Sequence, residues 1–168
     1  LAFDGTIPVT TTKTISANTI LDATGHAVTF SGGNSVRLFS VNSGVSLTIS
    51  NLTLADGRTS TNGGAIFNNG TLIASDSAFI NNNAIATNGP AGANGTNSSG
   101  IGGNGAPGTA GGNAYGGAIY NLGTLALNRC LFQGNSVAGG NGGAGGNADA
   151  EERYDGTGIA SGHNDRRA

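Results

Sequence analysis

The sequence predicts an all-β fold, a parallel β-solenoid, and three observations carry the prediction. The run Gly63-Gly64-Ala65-Ile66-Phe67-Asn68-Asn69-Gly70-Thr71-Leu72 returns 53 residues later as Gly116-Gly117-Ala118-Ile119-Tyr120-Asn121-Leu122-Gly123-Thr124-Leu125, and Phe79-Ile80-Asn81-Asn82 returns at the same offset as Phe132-Gln133-Gly134-Asn135. A repeat that keeps its internal spacing across an insertion marks a stacked structural unit. Within each copy apolar and polar residues alternate, as in Leu47-Thr48-Ile49 and Leu52-Thr53-Leu54, the period of a strand with one buried face. The apolar strands are separated by polar pairs only, which leaves no room for a helix.

The opening segment reads as four strands, over 9–12, Thr19–Asp22, 27–30 and 36–39, with Gly25, Gly32-Gly33 and Gly44 at the bends. Residues 42–54 supply another copy of the repeat, which places Leu47, Leu72 and Leu125 in one column, Ile49, Ala74 and Leu127 in a second, and Leu54, Phe79 and Phe132 in a third. Leu47 and Leu72 are 25 residues apart and Leu72 and Leu125 are 53 apart, so the second step is one coil plus a 28-residue insertion. Ser50-Asn51, Ser75-Asp76 and Asn128-Arg129 are the corners. Each unit is then strand, corner, strand, turn, and equivalent strands pair in parallel at roughly 4.8 Å. About five coils are expected, the first partial. Asn42, Asn68 and Asn121 fall at equivalent turns, where stacked amides form a ladder along the axis.

Two glycine-rich insertions, 85–113 and 139–148, leave the solenoid at one place, and loops inserted at one place in a solenoid commonly form its binding face. Glycine recurs every third residue at Gly89, Gly92 and Gly95, at Gly105, Gly108 and Gly111, and at Gly139, Gly142 and Gly145. Three readings stand beside one another: a flexible linker-like loop, polyproline-II segments packed through their glycines, and a calcium-binding glycine repeat. For the last, Gly142 to Asn147 approximates a Gly-Gly-x-Gly-x-Asp repeat with Asn in place of Asp, making Asn147 and Asp149 the candidate ligands.

The bulk properties narrow the function. A net charge of −2 with 10% charged residues offers no field to attract nucleic acid or an anionic membrane, and no apolar run is long enough to span one. Cys130 is the single cysteine, so no internal disulfide forms; its alignment with Leu52 and Ser77 predicts a small inward-facing residue. The start at Leu1, without Met or an apolar leader, fits a mature or trimmed fragment. Abundance of Thr, Ser, Asn and Gly with few charges suits an extracellular or outer cell-surface protein.

The pairing of Gly-Gly-Ala-Ile with Phe-x-x-Asn resembles the repeat of chlamydial polymorphic outer-membrane proteins and of many bacterial β-helix surface proteins. Gly63 to Ile66 with Phe79 to Asn82, and Gly116 to Ile119 with Phe132 to Asn135, carry the likeness. The runs 19–25 and 36–41 are similar to the opening coils of the same group, so the likeness covers residues 3–138. It implies a right-handed, pectate-lyase-like β-helix and a surface, adhesive role. A shared scaffold does not transmit chemistry.

A lyase or hydrolase on such a scaffold gathers carboxylates on one face. Here the column Asn51, Asp76, Arg129 holds one acid and one base, which predicts an exposed ion pair. The column Asp56, Asn81, Gly134 holds one acid, and Asp4 and Asp22 have no visible partner. His26, after Gly25, is expected exposed at a bend. No catalytic set is predicted within 1–148. The tail 149–168 carries eight of the 16 charged residues and matches no coil. It reads as a polar cap, as a truncated or non-native terminus, or as a site in which Glu151, Glu152, His163 and Asp165 supply metal ligands or acid and base groups. Thr48, Ile73 and Ala126 share a column, so no flat rank of threonines suits ice binding. The leading expectation is a secreted or surface-anchored structural and adhesive module, part of a larger exoprotein, touching a glycan or a surface protein through its glycine-rich loops, with no cofactor beyond a possible calcium ion. The alternative is a carbohydrate-active or ester-cleaving hydrolase. Oligomeric state is not encoded legibly.

Overall fold

The computed structural model describes residues 1–96 and 103–149, which form two compact units, one of 1–86 with 113–139 and one of 87–112 with 140 onward. The first unit is built of parallel strands alone. Sheet 1 runs β1 (Gly5–Pro8), β4 (Val28–Ser31), β7 (Leu52–Ala55), β11 (Ala78–Ile80), β15 (Leu131–Gln133), and sheet 2 runs β3 (Thr19–Asp22), β6 (Ser46–Ser50), β10 (Thr71–Ser75), β14 (Thr124–Asn128). Sheet 3 contains β2 (Lys13–Ile15), β5 (Phe39–Val41), β9 (Ile66–Asn68) and β13 (Ile119–Asn121); sheet 4 contains β8 (Arg58–Thr59), β12 (Asn83–Ile85) and β16 (Ser136–Ala138). The chain visits sheets 3, 2, 1 and 4 in that order on successive circuits, which makes a parallel β-solenoid.

The predicted columns hold. Leu47, Leu72 and Leu125 are in register, as are Ile49, Ala74 and Leu127. Phe30, Leu54, Phe79 and Phe132 form the third, with the rings of Phe79 and Phe132 stacked at 4.7 Å and 6°. On the later circuits two single-residue turns bend the chain into the solenoid. At the first, Asn51, Asp76 and Arg129 have φ of 57°, 49° and 50°; at the second, Asp56, Asn81 and Gly134 have φ of 53°, 54° and 66°. The left-handed conformation turns the strand in one residue, and short polar side chains and glycine tolerate it best.

Several expectations are corrected. Each later circuit has four strands, because Gly-Gly-Ala-Ile leads into β9 and β13 while β12 and β16 follow the second turn. In the opening segment 9–12 and 36–38 are not strands; β1, β2 and β5 lie to either side of them, and Val9 and Leu38 are buried between strands. Asn42 is not in the ladder, since Val41 pairs with Asn68. The loop before Ser46 has four residues where that before Thr71 has two, which moves the asparagine outward by one position. Asn68 and Asn121 do bond, Nδ2 to Oδ1 at 2.6 Å.

A second amide column, unforeseen, closes the turn after sheet 1. Asn82 is wholly buried; its Oδ1 accepts from the Gly57 N–H at 2.8 Å and its Nδ2 donates to the Leu54 carbonyl at 2.9 Å. Asn135 repeats this one circuit on, accepting from the Asn82 N–H at 2.9 Å and donating to the Phe79 carbonyl at 2.8 Å. Each side chain thereby satisfies backbone groups that a turn would otherwise leave bare.

In the second unit the glycine-rich segments form a bundle with a three-residue rhythm. Segment 87–96 donates from Gly89, Gly92 and Gly95 to the carbonyls of Asn141, Ala144 and Asn147. Segment 103–112 donates from Ala106, Thr109 and Gly112 to Ala93, Pro90 and Thr87, and segment 140–149 donates from Gly140, Gly143, Gly146 and Asp149 to Gly112, Thr109, Ala106 and Gly103. Each segment donates to the next and the ring closes on itself. Bonds at every third residue, in a register that runs parallel for one pair and antiparallel for two, match packed polyproline-II chains and exclude a β ladder. The inward glycines of the last segment are Gly140, Gly143 and Gly146. A Cβ on any of them would lie 1.9 Å from a carbonyl oxygen, whereas at Gly142 the nearest atom is 3.7 Å away. The register of Gly139, Gly142 and Gly145 is therefore corrected by one residue.

Candidate contact surface

On the outer face of sheet 3, alternation that buries Ile66 turns Phe67 outward, and Tyr120 follows it one circuit on. The two rings lie 5.6 Å apart at 30°, and the half-exposed Tyr115 ring lies 6.1 Å from that of Tyr120. At the other end the Arg37 guanidinium sits 5.3 Å from the centre of the Phe67 ring, within cation–π range. The guanidinium is held from below: Nε donates to the Gly63 carbonyl at 3.0 Å, and Nη2 donates to the Asn62 carbonyl at 2.7 Å and to Thr59 and Thr61 Oγ1 at 3.2 Å. Half-burial lowers its pKa, and it stays cationic as arginine does in proteins. Beside this row the Oδ1 of Asn62 is buried and makes no hydrogen bond among the described residues. The result is a fixed row of one cation and three rings on a rigid wall, suited to apolar or planar faces bearing hydroxyls.

The other sequence-derived candidates are placed as follows. Asp76 and Arg129 form a bidentate pair, Nε to Oδ1 at 2.6 Å and Nη2 to Oδ2 at 2.7 Å, which lowers the carboxyl pKa and raises that of the guanidinium. Asp22 and Asp4 do have partners. Asp22 Oδ1 accepts from the Thr24 hydroxyl and N–H, which lowers its pKa, and Asp4 accepts from the Ala27 N–H at 2.6 Å and lies 3.6 Å from His26 Nδ1. Asp22 thus serves a local turn, and Asp4 ties the start of the chain to the turn before β4. Cys130 packs against the core from the last circuit, half-covered, with Sγ 3.5 Å from the Ala74 carbonyl.

Asn147 serves the bundle through its main chain, accepting from Gly95 and donating to Asn94 Oδ1 at 3.0 Å, and the Asp149 N–H bonds Gly103. Among the described residues no three His, Cys, Asp or Glu side chains gather as a metal site would require, and no helix is long and apolar enough to cross a membrane. Glu151, Glu152, His163 and Asp165 lie outside the described residues. The aromatic row was missed by sequence reasoning. Its one signal was the column Phe67 and Tyr120, an aromatic in the outward slot of two successive copies. No family model, no curated protein and no solved structure matches the chain.

Proposed function

We propose that the chain is a structural and adhesive module of a secreted or outer-surface protein, one piece of a larger exoprotein. In this reading the solenoid is a right-handed, pectate-lyase-like β-helix of about five coils, of the kind that carries Gly-Gly-Ala-Ile and Phe-x-x-Asn repeats on bacterial surfaces, and its partner is a glycan. The observation that carries it is the row Arg37, Phe67, Tyr120 and Tyr115. Sugar rings present C–H faces to aromatic rings and hydroxyls to tyrosine and threonine, and a rigid wall adds no ordering cost on binding. The glycine bundle supplies a second rigid surface, uncharged over most of its length, for a glycan or a surface protein.

A glycan screen on the full chain tests this, with Tyr115→Ala/Tyr120→Ala set against Ala110→Lys on the exposed side of the bundle. Loss of tenfold or more with the tyrosine pair alone supports the wall as the contact. Loss with Ala110→Lys alone moves the contact to the bundle. Retention of no glycan by any form defeats the glycan reading.

A further inference from the structure

The two ends of the solenoid differ in cover. In the interior circuit Leu72, Ala74 and Phe79 are at most 1% exposed, but their column partners on the last circuit, Leu125, Leu127 and Phe132, are 37%, 42% and 46% exposed, and Leu131 is 54%. Leu125, Leu127 and Phe132, together with Ala118, Ile119 and Asn135, line a hollow of about 420 Å³. The outer edges of β14 and β15 carry no partner strand among the described residues. At the opposite end the inward Val9 and Ile15 are only 4% and 8% exposed, and the exposed apolar residues there, Leu1 and Phe3 at 43% each, precede the first strand.

We propose that the last circuit is a docking surface for an extended segment of another polypeptide that carries the same repeat chemistry. The segment adds as a parallel strand pair on Thr124–Asn128 and Leu131–Gln133, with large apolar side chains at alternate positions filling the hollow. The argument is continuity with interfaces the molecule already contains. The circuits below join through the same strands, register and columns, and that stacking takes Leu and Phe from about half exposed to fully covered.

A second copy of this chain fits less well. Two such ends meeting across a two-fold axis set hollow against hollow and run their strands antiparallel. Head-to-tail stacking needs inward columns open on the underside, and there Val9 and Ile15 are covered while the exposed Leu1 and Phe3 lie before the first strand, outside those columns.

The probe is a fluorescein-labelled peptide of residues 114–138, titrated by anisotropy against the full chain. Saturable one-to-one binding is expected, weakened tenfold or more by Leu127→Asp and unchanged by Ala126→Asp on the outward face of the same strand. Leu125→Lys, also on the open end, repeats the loss, and circular-dichroism melts confirm that all variants fold. The proposal is overturned by an absence of saturable binding, or by binding that Leu127→Asp and Leu125→Lys leave intact. It is equally overturned if only a protein ending at Asp149 binds, which makes the chain's own C-terminal residues the occupant, or if the full chain dimerises through this end and ignores the peptide. Glycan binding through Tyr115 and Tyr120 is read separately, so failure here leaves that reading standing.

Discussion

The solenoid and the glycine bundle both exclude water from a thin interior, and they do it with opposite parts. In the solenoid the backbone lies in the wall and side chains fill the centre, so Leu72 over Leu47 and Phe79 over Leu54 supply apolar burial. In the bundle the side chains point out and the backbone fills the centre. Nine glycines, Gly89, Gly92, Gly95, Gly105, Gly108, Gly111, Gly140, Gly143 and Gly146, approach neighbouring carbonyls so closely that a Cβ would fall 1.9 to 2.1 Å from an oxygen. Side-chain cores bend to substitution because rotamers adjust, whereas a backbone core has nothing to adjust. The two units should therefore differ in which substitutions they tolerate far more than in how many.

The sharpest test of that difference is a pair of alanines two residues apart in the sequence of 140–142. Gly140→Ala drives a Cβ into the Thr87 carbonyl, while Gly142→Ala meets open space. Hydrogen exchange by mass spectrometry should find the bundle amides, Gly89 and Gly143 among them, unprotected in the first variant and unchanged in the second. Equal protection in both would mean that the closed ring of bonds does not hold the bundle together.

Within the solenoid the corresponding contrast is graded. Phe79→Ala empties a fully buried site and should cost about 3–5 kcal/mol in urea unfolding; Phe132→Ala, half exposed on the last circuit, should cost clearly less. Asn82→Ala leaves the Gly57 N–H and the Leu54 carbonyl without partners inside the wall, at about 1–3 kcal/mol. A smaller loss than for Asn135→Ala, whose column is covered on one side only, would break the claim that burial sets the value of this amide.

These contrasts also explain what could be read from the sequence. The columns of Leu47, Leu72 and Leu125 were legible because a five-residue strand displays period two clearly. The strands β9 and β12 were not, since three residues hold too little alternation to separate a strand from a turn. Asn42 was misplaced because a loop of four residues and one of two look alike until the register is known. In Gly139-Gly140 and Gly142-Gly143 both residues are glycine, so composition cannot choose which one faces inward; the bonds of Gly140 and Gly143 to Gly112 and Thr109 decide it. The contact row escaped because Arg37 and Tyr115 fall outside the repeated motif and are joined to Phe67 and Tyr120 only by the coiling.

Acid offers the mildest separation of the two units. The described part of the bundle carries one charged residue, Asp149, while the solenoid carries the Asp76–Arg129 pair on its exposed corner. Hydrogen bonds from Arg129 lower the Asp76 pKa below its ordinary 3.8, so the pair's contribution is complete above that value and fades as pH falls through the lower, folded one. Melting temperatures of the native chain and of Asp76→Asn should therefore differ slightly at pH 6 and converge as the pH is lowered through the folded-state pKa. Asp22, whose pKa is also lowered, is common to both proteins and cancels in the difference. The offset should be near the limit of a melting curve, because both side chains are solvated and screened. An offset that stayed unchanged all the way down the acid titration would assign it to the left-handed turn at Asp76, φ 49°, where asparagine is the better-tolerated residue, and not to the charge.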